Sequence, residues 1–199
     1  MIKAVLMDLD DTILRLDVDW STVKSEIMNI LTEHGKKPNE GIAKTQIEYK
    51  GTETGNEIDR MVEKHEAGGW KTSRLLPHAK ETIQELSKQY KLAIVTGNGR
   101  LAAEKSLKHH GIIQYFATIA SRENGIKPEP APILKALKDL DCEKEEAVMV
   151  GNSDSDMLAA KAAGVKGIGY TSTMSSEELK GYGAEITIND LIELKEVLK

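Results

Sequence analysis

The chain has 199 residues, of which 40% are hydrophobic and 30% charged, and its formal net charge at pH 7 is −5. This composition is typical of a soluble globular protein with one sizeable domain, or a domain that carries a smaller insert. The acidic balance argues against a nucleic-acid partner or an anionic membrane surface, because both call for a basic protein surface. No apolar run approaches the roughly 20 residues of a membrane span. The single cysteine, Cys142, cannot form a disulfide within the chain, so we expect a cytoplasmic protein.

Short apolar runs at residues 2–7, 92–95, 147–150 and 168–170 predict β-strands, and weaker candidates lie at 115–120 and 185–188. The four strong runs are continuous rather than alternating, as expected for strands covered on both faces of a parallel sheet. Helical patterns separate them, for example the spacing of Ile133, Leu137 and Leu140. Alternating strands and helices predict an α/β fold with a doubly wound parallel sheet.

One interval, from about residue 14 to residue 76, breaks this alternation because it contains helical patterns and no convincing strand. A capping-box spacing, Thr54-x-x-Glu57, precedes the second of its two helical stripes. We predict a core domain of residues 1–14 and 77–199 and a small α-helical cap of residues 15–76. The alternative is a loop excursion that only adds to the core. The two stripes consist of Val23, Ile27, Ile30 and Leu31, and of Ile58, Met61, Val62 and His65.

The segments that follow three of the predicted strands carry groups suited to chemistry. Residues 8–12 are Asp-Leu-Asp-Asp-Thr, residues 96–99 are Thr-Gly-Asn-Gly, and residues 151–156 are Gly-Asn-Ser-Asp-Ser-Asp. In doubly wound sheets, ligands bind outside the carboxyl ends of the strands. We therefore expect these three segments to converge on one edge.

Asp8 and Asp10 would repel each other on one strand face unless a cation lay between them, and an oxygen-rich site with few ligands suits Mg²⁺. A polar turn at the strand exit is the alternative.

Residues 96–99 precede a predicted helix, where a hydroxyl, an amide and free N–H groups could hold a phosphate. An ordinary glycine turn is the alternative for this segment. Lys127 lies in a loop stiffened by prolines and could serve as a fixed cation rather than a solvated charge. Ser153-x-x-Asp156 has capping-box spacing, so this last segment is either a helix start, a metal site or both.

In combination and in this order, these motifs resemble the haloacid dehalogenase (HAD) superfamily. Asp8 to Thr12 match its D-x-D-x-T motif, Thr96 its second motif, Lys127 before Pro128 its third, and the acidic loop of residues 151–156 its fourth. The helical insert resembles the cap of the phosphoglycolate-phosphatase-like and phosphomutase-like branch. Arg74 to Pro77 resemble that branch's exit from the cap.

The resemblance implies a role for each matching residue. Asp8 would be the nucleophile that forms an aspartyl-phosphate, and Asp10 the general acid and base. The substrate's phosphoryl oxygens would bind Thr96, Gly97, Asn98 and Lys127. Mg²⁺ would be held by Asp8, Asp10, Asn152 and Asp156.

The fourth motif departs from the usual G-D-x-x-x-D, because Asn152 stands where the first acid is expected. An amide oxygen can bind Mg²⁺ without contributing charge, so we expect weaker metal binding. Asp154 is a possible substitute ligand.

The function that these motifs imply is a Mg²⁺-dependent phosphatase acting on a small phosphorylated metabolite, similar to phosphoglycolate or a sugar phosphate. The alternatives are a phosphomutase of the β-phosphoglucomutase type and a non-catalytic binding protein on the HAD fold. The oligomeric state is left open. Candidate specificity residues in the insert are Arg15, Trp20, Lys50 and Arg74; the alternative for each of them is an ordinary surface residue.

Overall fold

The computed structural model describes residues 1–37 and 41–199. Six of its strands form a parallel sheet in the order β5-β4-β1-β6-β7-β8. All six predicted strands are present with small shifts of their ends, which confirms the predicted α/β fold. The strands are β1 (Ala4–Met7), β2 (Leu14–Arg15), β3 (Arg74–Leu75), β4 (Lys91–Val95), β5 (Thr118–Ala120), β6 (Ala147–Gly151), β7 (Lys166–Tyr170) and β8 (Ala184–Ile188).

Helices cover both faces of this sheet. In the described ranges they are α1 (Trp20–Glu33), α2 (Ile42–Glu48), α3 (Glu53–Gly69), α4 (Ala79–Leu86), α5 (Arg100–His109), α6 (Ala131–Leu140), α7 (Asp154–Ala163), α8 (Ser176–Tyr182) and α9 (Leu194–Val197). Short 3-10 turns lie at Ile113–Tyr115, Arg122–Asn124, Lys144–Glu146 and Leu191–Glu193. Within residues 1–37 and 41–199, no helix is long and apolar enough to cross a membrane.

Strand β1 lies in the middle of the core, and its four residues are fully buried. Val5 and Met7 pack with α4 and α5 on one face, whereas Ala4 and Leu6 pack with α6 and α7 on the other. Because successive side chains of a strand point to opposite faces, a strand covered on both faces needs an apolar residue at every position. This explains the continuous apolar run in the sequence.

Helices α1, α2 and α3 pack around a separate cluster of apolar side chains, which we call the cap core. It contains the first predicted stripe and the buried part of the second. Its buried members are Val23, Ile27, Ile30, Leu31, Tyr49, Ile58 and Val62.

Two expectations for this insert are wrong. The interval does contain strands, because β2 and β3 pair antiparallel where the chain leaves and re-enters the core, with Leu14 opposite Leu75. Two-residue strands are too short to produce a periodic pattern. The predicted N-cap residue of α3 is also wrong. The Thr52 side chain accepts the capping hydrogen bond from Gly55 N, and Thr54 lies inside the helix.

Candidate active site

The three predicted segments do meet, because β1 lies between β4 and β6 in the sheet. The loops that follow these strands enclose, together with Lys127 and the cap, a cavity of about 250 Å³. Asp156 lies behind it and is fully buried. The other predicted site residues line the cavity: Asp8, Asp10, Thr96, Gly97, Asn98, Lys127 and Asn152.

Lys127 connects the ends of β1, β4 and β6. Its Nζ donates to Asp8 Oδ1 at 2.6 Å, to Asp156 Oδ1 at 2.5 Å and to the Val95 carbonyl at 3.1 Å. Burial disfavours the charged ammonium, but the Asp156 and Asp8 carboxylates outweigh it and raise the pKa of Lys127 above its usual value. One buried cation is therefore shared by two carboxylates.

Asp8 follows β1 directly and is only 6% exposed. Burial raises the pKa of Asp8 to about 6; the Lys127 ammonium opposes this shift and the Asp156 carboxylate adds to it. Its second oxygen, Oδ2, lies 3.3 Å from the Thr12 hydroxyl. Asp8 thus has one oxygen on the Lys127 ammonium and the other beside the Thr12 hydroxyl.

Asp10 lies at the exit from β1 toward the cap, and its Oδ1 accepts a hydrogen bond from Leu16 N at 2.8 Å. Burial raises the pKa of Asp10 to about 7, against the effect of that hydrogen bond, and the carboxylates of Asp11 and Asp8 raise it further. The turn needs a left-handed residue at Asp11, with φ of 57°, a conformation that aspartate tolerates better than most residues. The local sequence thus directs two carboxyl groups into one cavity.

The loop after β4 is organised by its own side chains. Thr96 Oγ1 donates to Asn98 Oδ1 at 2.7 Å and accepts from Asn98 N at 3.1 Å. Both residues are buried, and α5 begins two residues later at Arg100. A hydroxyl and an amide are thereby held at a helix N-terminus, a position that favours anions.

The loop after β6 is a helix start, as its capping-box spacing predicts. Ser153 Oγ accepts from Asp156 N at 3.3 Å, and Asp156 Oδ2 accepts from Ser153 N at 3.0 Å. Asp156 Oδ2 also accepts from Asn152 N and from the Ser153 hydroxyl. Both carboxylate oxygens of Asp156 therefore already accept hydrogen bonds within the protein. Asp154 is exposed and accepts from Ser155 N.

Asn152 faces the cavity with its amide. Its Oδ1 accepts from the Thr12 hydroxyl at 2.8 Å, and its Nδ2 donates to Thr173 Oγ1 at 2.8 Å. The Thr12 hydroxyl thus lies beside both Asn152 Oδ1 and Asp8 Oδ2. This brings an amide oxygen and a carboxylate oxygen close together.

The residues present fit Mg²⁺ better than a metal that needs several acidic or nitrogen ligands. In the described ranges, no group of three or more His, Cys, Asp or Glu residues is arranged to hold a metal. A cation here would have to use the neighbouring oxygens of Asp8 and Asn152. Mg²⁺ is commonly bound by one or two carboxylates and keeps several waters, so this sparse oxygen set suits it.

Of the four candidate specificity residues, the structure places Trp20 at this cavity. Arg15 and Arg74 line a different cavity of about 400 Å³ beside β2 and β3. Lys50 pairs with Glu129 of the core at 3.7 Å.

Glu66 of α3 and Arg122, which are absent from the predicted site residues, form a buried ion pair at 2.9 Å beside the predicted phosphate loop. One signal was available: Glu66 continues the Ile58 and Val62 stripe at helical spacing, so a charged residue stands on the buried face.

The comparisons with known proteins agree with this geometry. The family model for haloacid dehalogenase-like hydrolases matches residues 5–170. A protein of Caldanaerobacter subterraneus subsp. tengcongensis, named as a candidate pyrophosphatase PpaX, is 31% identical over 214 aligned positions, which cover 100% of this chain and 95% of that protein. The structure of a HAD phosphatase from Thermococcus onnurineus has a TM-score of 0.68 at 25% identity, over 99% of this chain and 98% of the other. YfnB from Bacillus subtilis, described as a HAD hydrolase candidate bound to magnesium, has a TM-score of 0.68 at 19% identity, over 100% and 99% of the two chains. The chain therefore belongs to the haloacid dehalogenase-like hydrolase family.

Proposed function

We propose that the protein is a Mg²⁺-dependent phosphatase that hydrolyses a small phosphorylated metabolite through an aspartyl-phosphate on Asp8. The observation that carries this proposal is the 2.6 Å contact between Lys127 Nζ and Asp8 Oδ1 in a cavity also lined by Asp10 and the Thr96–Asn98 loop. In this proposal Asp8 is the nucleophile, Lys127 is the cation for the phosphoryl oxygens and Asp10 is the second carboxyl group. The names of two relatives, a pyrophosphatase and a phosphatase, support the same reaction class.

In the first step, an Asp8 oxygen attacks phosphorus, and the bond between phosphorus and the leaving oxygen breaks. The Asp10 carboxylic acid gives its proton to that leaving oxygen. In the second step, the Asp10 carboxylate takes a proton from a water molecule, which attacks phosphorus and releases inorganic phosphate and free Asp8.

The other site residues hold the transferring group. Lys127 offsets the negative charge that develops on its oxygens, and Thr96 and Asn98 offer polar groups after a small rotation away from each other. The Asp8 carboxylate, the Asp10 backbone carbonyl and Asn152 Oδ1 would hold Mg²⁺, with Asp156 as a further predicted ligand. When bound, Mg²⁺ would neutralise charge between Asp8 and the dianionic substrate. The description of YfnB as magnesium-bound supports this choice of metal.

The direct test is hydrolysis of p-nitrophenyl phosphate by the purified protein with Mg²⁺ and with EDTA. We expect turnover that requires Mg²⁺ and that Asp8→Asn abolishes. The matched control is Asp139→Asn, the same change at a surface residue that pairs with Lys135, and it should retain wild-type turnover. Undiminished activity in Asp8→Asn would falsify the mechanism.

A further inference from the structure

The wall that the cap contributes to the cavity is mainly uncharged. In the described part of the insert, it is formed by Trp20, Ile42, Ala43, Gln46, Val62 and Glu66. Glu66 is the member of this group with a formal charge. Because the nucleophile and phosphate loop lie on the core side, the substrate's leaving group faces this wall.

Both carboxylate oxygens of Glu66 accept hydrogen bonds from groups of the protein. Glu66 Oε1 accepts from Arg122 at 2.9 Å, and the two side chains are only 2% and 9% exposed. Glu66 Oε2 accepts from Gly99 N at 2.9 Å, and Oε1 lies 3.3 Å from Asn98 Nδ2. The carboxylate therefore neutralises Arg122 and fixes it in place.

Two cationic residues line the cavity within the described ranges, and both are paired. Arg122 contacts Glu66, and Lys127 contacts Asp8 and Asp156. Among the described residues of the cap-side wall, a leaving group that carries its own carboxylate or phosphate would meet no unpaired cation. Burial of an unpaired charge is costly, so such a substrate would be disfavoured.

We propose that Glu66 is a specificity-determining residue, and that the substrate is a phosphomonoester whose leaving alcohol is uncharged and partly apolar. This inference rests on the proposed phosphatase function and narrows it. By neutralising Arg122, Glu66 selects against anionic leaving groups such as those of phosphoglycolate and pyrophosphate.

Two substrates with the same carbon skeleton test whether the site selects against anionic leaving groups. Racemic glycerol 3-phosphate has an uncharged leaving group, and racemic 3-phosphoglycerate carries a carboxylate in place of the terminal hydroxymethyl group. We expect the wild-type kcat/KM to favour glycerol 3-phosphate by about tenfold or more, and pyrophosphate to be a poor substrate. Equal or better hydrolysis of 3-phosphoglycerate or pyrophosphate would overturn the inference. Hydrolysis of p-nitrophenyl phosphate is measured in parallel, and its absence would overturn the proposed function together with the inference.

Variants of the ion pair separate specificity from structure. Glu66→Gln frees the Arg122 charge and should lower the preference for glycerol 3-phosphate by about tenfold, mainly through a lower KM for 3-phosphoglycerate. The double variant Glu66→Gln, Arg122→Gln removes that cation and should restore the wild-type preference.

Glu57→Gln is the control on the same helix, since Glu57 pairs with His34 on the surface, and it should leave the substrate preference unchanged. Thermal melting confirms folding. If Glu66→Gln does not fold, Arg122→Gln decides: it leaves the Glu66 carboxylate without its cation and should raise the preference for glycerol 3-phosphate, whereas an unchanged preference contradicts the role of Glu66.

Discussion

Lys127 Nζ lies 2.6 Å from Asp8 Oδ1, so the proposed phosphoryl-binding cation already contacts the proposed nucleophile. The same nitrogen lies 2.5 Å from Asp156 Oδ1, and Asp156 in turn caps α7. The position of Asp8, the proposed nucleophile, is thereby coupled to the helix start after β6. A displacement of Asp156 should reach Asp8 through this shared cation.

Gly151→Ala tests that coupling. A Cβ at Gly151 would lie 2.5 Å from Asp156 Oδ2, so the carboxylate that contacts Lys127 would have to shift. We expect the variant to lose about 1–3 kcal/mol of stability, because extra methyl groups in packed sites force shifts of that cost, and to lose most of its turnover. Denaturant unfolding and p-nitrophenyl phosphate hydrolysis measure the two effects.

Gly181→Ala is the matched control, because open space surrounds this exposed glycine in α8. Alanine is favoured over glycine in helices by up to about 1 kcal/mol, so this variant should be unchanged or slightly more stable. Equal behaviour of the two variants would refute the coupling.

Asp10→Asn should stabilise the metal-free protein in a pH-dependent way. The folded-state pKa of Asp10, about 7, exceeds its ordinary value of 3.8 because burial disfavours the charged form. The folded state therefore loses stability as pH rises between these two values, and asparagine, which cannot ionise, avoids that loss. Thermal melting in EDTA should show no gain for the variant at pH 4 and the full gain above pH 7. A pH-independent difference in Tm would contradict the raised pKa.

Asn152→Asp should strengthen Mg²⁺ binding. The substitution places a charge where Asn152 Oδ1 now lies beside the Thr12 hydroxyl, at the loss of the hydrogen bond from Nδ2 to Thr173. Ligand charge tunes affinity for hard cations, and we expect Kd for Mg²⁺ to fall on the order of tenfold. Calorimetry and the Mg²⁺-dependent shift in Tm measure it.

Asp154→Asn tests whether Asp154 binds Mg²⁺ in place of Asn152. Asp154 is exposed, so the substitution should leave Mg²⁺ affinity unchanged. If Asp154→Asn weakens binding and Asn152→Asp does not alter it, the metal is held by Asp154 instead.

Trp20→Ala should impair binding of apolar leaving groups. Trp20 is part of the cavity wall facing the proposed leaving group, and loss of its contact area should raise KM for p-nitrophenyl phosphate about tenfold with little change in kcat. Met28→Ala, a truncation of an exposed side chain on the same helix, provides the comparison and should leave KM unchanged. A fall in kcat alone would point to a disturbed catalytic geometry rather than lost contacts.

The strands, the apolar helix stripes and the strand-end motifs could be predicted from the sequence, because each depends on residues close together in the chain. The pairing of Glu66 with Arg122 could not be predicted, since these residues are 56 positions apart and lie in the insert and in the core, respectively. The same holds for Asp156: its helix-capping bond is local and was predicted, whereas its contact with Lys127 spans 29 positions and was not. Two-residue strands such as β2 and β3 lie below the length at which alternation is visible.

Those two short strands have a consequence for how the molecule can change. Leu14 lies opposite Leu75 and Arg15 opposite Arg74, so the chain departs from the core and returns to it at adjacent points. An insert anchored in this way adds little chain-closure entropy to the core and tolerates changes of length. We therefore expect the segment between these strands to tolerate insertions and deletions in its loops while the six-stranded sheet is retained.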